Sequence, residues 1–89
     1  MAWRIEFADD ARKELLRLDP PVARRIYAFL HERLAQLDDP RSIGEPLRGP
    51  RLGAFWKYRV GDWRIVAAIE DDMLSVLVVR VGNRREVYR

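Results

Sequence analysis

The sequence predicts an α+β domain in the order β-α-α-β-β-β, with a helical hairpin packed on one face of an antiparallel sheet. Three observations predict it. Trp3, Arg4, Ile5, Glu6 and Phe7 alternate apolar and polar, the period of a half-buried strand. Val22, Ile26, Phe29, Leu30, Leu34 and Leu37 recur at spacings of three and four, which makes a single apolar stripe on a helix. From residue 55 onward the chain turns aromatic and β-branched in three runs, 55–60, 63–70 and 73–81, divided by Gly61-Asp62 and Asp71-Asp72.

Each element has its local cause. After the first strand, Asp9 or Asp10 is placed to cap a short helix reaching about Leu18, with Ala11, Leu15 and Leu18 on its buried side. Asp19 restarts the chain as a second cap, and Pro20 and Pro21 fall in the first turn, where no N–H is needed. That helix is expected to end near Asp38-Asp39-Pro40. Residues 41–54 contain three Gly and two Pro and read as loop. The two-residue connections then imply consecutive antiparallel strands, and residues 82–89 a turn with a short extended tail.

Length and composition bound the function. A chain of 89 residues is expected to be one domain over 1–89, yet with 48% apolar residues it can form a core. With no Cys there is no disulfide, thiolate metal site or Cys nucleophile. The first ten residues, acidic and alternating, do not resemble a signal peptide, so a cytoplasmic protein is expected. No His, Cys and carboxylate group has metal-ligand spacing, and no cofactor is expected. Neither a phosphate-loop glycine motif nor a Ser-His-Asp set occurs. The single His31 is expected to face solvent from the helix.

The net charge of +3 is small, but its placement is informative. Residues 41–69 hold Arg41, Arg48, Arg51, Lys57, Arg59 and Arg64 against only Glu45 and Asp62, while the flanking segments are nearly balanced. A basic patch on a balanced protein points to a polyanion, or else to a solvated face. A two-residue Gly61-Asp62 hairpin pairs Val60 with Trp63, Arg59 with Arg64, Tyr58 with Ile65 and Lys57 with Val66. Lys57, Arg59 and Arg64 then share one face, and Trp56, Tyr58, Val60, Trp63 and Ile65 the other. Like charges across a ladder repel. A bound phosphate removes that penalty; so would neutralisation of the pair by Asp62, Glu45 or Glu70, and both readings stay open. Arg80, Arg84, Arg85, Tyr88 and Arg89 follow near the last strand and its tail.

The segments EPLRG, FWKYRVGDWRIV and VLVVRVGNRREVYR resemble the RelE branch of the RelE/ParE toxin superfamily, over nearly the whole chain. The resemblance implies the toxin component of a type II toxin–antitoxin system. Such toxins enter the ribosomal A site, cut mRNA through its own 2′-hydroxyl without metal, and are held inactive by a cognate antitoxin, RelB-like or similar. It implies a catalytic set of Lys57, Arg59, Arg64, Arg84 and Tyr88; Arg48 and Arg51 of the basic segment and Arg80 and Arg85 near the tail are expected to bind RNA. Arg64 and Arg84 suit charge stabilisation, because a guanidinium fork matches phosphate oxygens. Lys57 suits the base role if neighbouring cations discharge it. Tyr88 suits either stacking or proton transfer. Arg59 stands where a second Lys is common, and Asn83 where many relatives carry a basic residue. The ParE branch, whose members inhibit DNA gyrase by binding, shares the fold and is the alternative.

Overall fold

The computed structural model describes residues 2–47 and 54–83. The elements run β1 (Arg4–Phe7), α1 (Asp9–Leu16), α2 (Pro20–Ala28), β2 (Glu45–Pro46), β3 (Phe55–Val60), β4 (Trp63–Glu70) and β5 (Ser75–Asn83). They build a five-stranded sheet in the order β1-β5-β4-β3-β2. The α+β class and the meander of β3, β4 and β5 are those expected. The first strand, however, joins in parallel, with Ile5 opposite Val76 and Phe7 opposite Val78, so the sheet is antiparallel only from β5 to β2.

Both helices begin where expected, α2 from the expected Asp19 and α1 from Ala8 in place of Asp9 or Asp10. Ala8 occupies the N-cap of α1 and Asp19 that of α2, and neither makes a side-chain cap hydrogen bond. Pro20 and Pro21 open α2. After Ala28 the helix widens into a π turn, Phe29–Arg33, and then tightens into a 3-10 turn, Leu34–Gln36. In the wide turn the Leu34 N–H is shared between the carbonyls of Leu30 and Phe29. Phe29, five residues before Leu34, thereby stays with the core.

The apolar stripe does what its spacing predicts. Ile26, Leu30 and Leu34 are fully buried against Tyr58, Ile65, Val76, Val78 and Val81 in one cluster, which also takes in the fully buried Ala11 of α1. Each such aliphatic side chain contributes about 1.5–3 kcal/mol by leaving water. The segment read as loop holds more order than its Gly and Pro suggest. Asp39 accepts from the Arg41 N–H at 3.0 Å and starts a 3-10 turn, Pro40–Ile43, which delivers the chain to β2 beside β3. The turn after β4 is also longer than two residues. Asp71–Met73 forms a 3-10 turn closed by Leu74 at φ 48°, so β5 starts at Ser75 and runs to Asn83. Arg41 spans these two segments, gripping Asp71 through Nη1 at 3.1 Å and Nη2 at 2.6 Å.

Candidate active site

The β3–β4 hairpin has the register its sequence predicts. Gly61, at φ +60°, supplies the left-handed turn position, and Val60–Trp63, Arg59–Arg64, Tyr58–Ile65 and Lys57–Val66 are opposed. Alternation sends Tyr58 and Ile65 into the helix-side core and leaves Lys57, Arg59 and Arg64 together on the opposite face. A cleft of about 240 Å³ opens there, lined by Ile43, Glu45, Lys57, Tyr58, Arg59 and Arg64.

Two contacts temper the repulsion inside this cluster. Lys57 Nζ lies 3.4 Å from Glu45 Oε2, because β2 puts Glu45 directly opposite Lys57. Arg64 folds back over the hairpin, where Nη1 donates to the carbonyls of Gly61 at 3.2 Å and Trp63 at 3.1 Å. Arg59 is exposed. The Tyr58 hydroxyl donates to the Pro40 carbonyl at 2.8 Å, and burial, partly countered by Arg41, pushes its pKa up to about 12. It therefore stays neutral at physiological pH and holds the wall of the cleft in place. The cleft thus offers three cationic donors and one carboxylate acceptor, a set suited to a phosphodiester and to a proton that must leave beside it. Among the described residues no group of His, Cys, Asp and Glu could hold a metal ion, and no helix is long and apolar enough to cross a membrane.

Arg80, expected to bind RNA, sits opposite Val66 on β5, and its Nε lies 3.2 Å from both carboxylate oxygens of Glu14 on α1. Arg48, Arg51, Arg84, Arg85 and Tyr88 lie outside the described residues. His31 does not face solvent freely: its ring stacks on Tyr27 at 4.1 Å between centroids, and Nε2 is buried without a hydrogen-bond partner. Glu45 is the functional candidate that the sequence showed only as a possible counter-charge. Its strand is two residues long inside a Gly- and Pro-rich stretch, so no periodicity marks it.

The sequence model of the ParE toxin family, toxins of the type II toxin–antitoxin system parDE, matches residues 5–88. The chain is 30% identical over 89 residues to Toxin RelG of Mycobacterium tuberculosis, covering 100% of this chain and 99% of that protein. Its fold superposes on a chain of the RelBE2 toxin–antitoxin complex of M. tuberculosis with a TM-score of 0.86 at 27% identity, over 97% of this chain and 95% of that one. A chain of the intact Escherichia coli RelBE toxin–antitoxin complex gives 0.74 at 27% identity, over 92% and 96%. The chain therefore belongs to the RelE/ParE superfamily, as a RelE-type toxin of a type II toxin–antitoxin system.

Proposed function

We propose that this toxin is a ribosome-dependent mRNA endoribonuclease that acts in the cytoplasm and is held inactive by a RelB-like antitoxin. The observation that carries the reading is the cleft itself, in which Lys57, Arg59 and Arg64 line one wall system with the single carboxylate Glu45. In the reaction the 2′-oxygen forms a bond to the adjacent phosphorus, the bond from phosphorus to the 5′-oxygen breaks, and a 2′,3′-cyclic phosphate and a 5′-hydroxyl result. Glu45, the acceptor of the cleft, takes the 2′-hydroxyl proton and is the base in place of Lys57. Arg64 and Arg59 stabilise the charge gathering on the phosphorane oxygens, and Lys57 supplies an N–H to the leaving 5′-oxygen. Arg84 and Tyr88 complete the set as the resemblance implies.

Nothing in such a site forces a flexible RNA into the in-line geometry, which is the reason to assign positioning to the ribosomal A site. Induction without antitoxin is expected to arrest translation and leave 5′ ends inside translated mRNA. Purified toxin is expected to cut mRNA on ribosomes and leave the same RNA intact when free. The family model bears the name of ParE, which favours a second reading, inhibition of DNA gyrase. Intact mRNA together with double-strand DNA breaks after induction would establish that reading instead.

A further inference from the structure

On its outer edge, away from β4, the end of β5 is held by a side chain instead of a strand. β1 pairs with β5 only from Ser75 to Val78, where the Val78 carbonyl accepts from the Ala8 N–H at 2.9 Å. The chain then turns into α1, and β5 continues to Asn83 without β1 beside it. A buried strand edge whose N–H groups lack partners is costly. Glu14, in the last turn of α1, fills the gap. Its Oε1 accepts the Val81 N–H at 3.0 Å, and both carboxylate oxygens take Arg80 Nε at 3.2 Å. From the clamped Val81 the strand runs on beside Arg64 of the cleft: Val81 is opposite Ile65, Gly82 opposite Arg64 and Asn83 opposite Trp63. In sequence they lead directly to Arg84.

We infer that Glu14 is a positioning residue: it stands in for a strand partner on the outer edge of β5 and fixes the end of that strand beside Arg64. The inference rests on the reading that this end of the sheet carries the site. Arg80 accordingly serves the clamp, and its charge is already answered by Glu14 before RNA arrives. Losing the clamp leaves the helix-side core intact, because neither Glu14 nor Arg80 belongs to it. What changes is the placement of Gly82 and Asn83 beside Arg64, and a displacement on the order of 1 Å at a reacting site is enough to slow it up to a hundredfold.

The test compares E14A, E14Q and the core variant I26V by amide hydrogen exchange and by single-turnover cleavage of ribosome-bound mRNA. In E14A the Val81 amide is expected to exchange at least about tenfold faster while α2 amides are unchanged, in line with loss of a local clamp. The cleavage rate is expected to fall about tenfold or more with half-saturation unchanged. E14Q, which keeps an oxygen for the Val81 N–H, should recover most of both. I26V should lose thermal stability and keep its rate. The inference is overturned if Val81 exchange is unchanged in E14A, if E14A cleaves at the wild-type rate, or if I26V loses rate as E14A does. Should the wild-type toxin arrest growth without cutting mRNA, the cleavage reading fails on that protein alone. Growth arrest then replaces the rate, and the same ranking of variants decides the role of Glu14.

Discussion

At the scale of single residues, the proposed reaction divides labour in the cleft by donor and acceptor. In that reaction Arg64 faces the developing charge, so Arg64→Ala is expected to slow single-turnover cleavage by about 10²–10³-fold, the usual effect of removing one electrostatic contact. Melting should barely move, because among the described residues the guanidinium bonds two backbone carbonyls of its own hairpin, Gly61 and Trp63. Wild-type cleavage by a folded Arg64→Ala protein would remove Arg64 from the site. Glu45→Gln keeps the shape and hydrogen-bonding oxygen but cannot hold the proton, and general bases are worth about 10²–10⁴-fold. Its loss should therefore be of that order. If Glu45→Gln cleaves normally, the proton leaves by another route. The sequence brought Lys57, Arg59 and Arg64 onto one face because a two-residue hairpin leaves no freedom in register. It showed no site for Glu45, whose position depends on where β2 docks.

At the scale of elements, the segment from Pro40 to Pro46 connects the core to the cleft. Gly44 is needed for contact, not for its backbone angle: a Cβ there would lie 2.7 Å from Tyr58 Cε1. The Tyr58 ring cannot yield, since it is buried and its hydroxyl is bonded to Pro40. Gly44→Ala is thus expected to cost about 1–3 kcal/mol by overpacking and to weaken activity by moving Glu45 away from Lys57. Denaturant melts read the first effect and cleavage assays the second. An unchanged melt would mean that the 3-10 turn shifts freely. The same scale explains the turn that the sequence shortened. Leu74 takes a left-handed conformation, which Gly or Asn normally announces. With Leu there, Asp71-Asp72 alone looked like the connection.

At the scale of the whole molecule, folding and proton binding are linked through Tyr58. Its hydroxyl, at about 12 in the folded protein against 10.0 ordinarily, keeps its proton longer folded than unfolded. The contribution of this group is therefore fully present below pH 10 and is lost as pH rises through 12, amounting to on the order of a few kcal/mol once the folded hydroxyl has also ionised. Tyr58→Phe should be less stable than wild type at pH 7, because the Pro40 carbonyl loses its partner at a cost of about 1–3 kcal/mol. The gap between the two proteins should narrow between pH 10 and 12. Parallel stability curves over that range would show that Tyr58 ionises as it does in water.

The sequence by itself determined the helix stripe, the hairpin register and the face that carries Lys57, Arg59 and Arg64. Each rests on a short-range period: 3.6 residues for a helix, two for a strand, and a turn that allows one pairing. It also carried the family resemblance in the order of its motifs. Only the tertiary structure decided the parallel docking of β1 on β5, the place of Glu45 opposite Lys57, and the capture of Arg80 by Glu14. These pairs are set by which edges and helix faces meet after the core closes. Glu14 and Arg80 stand 66 residues apart in the chain, and no local pattern links them.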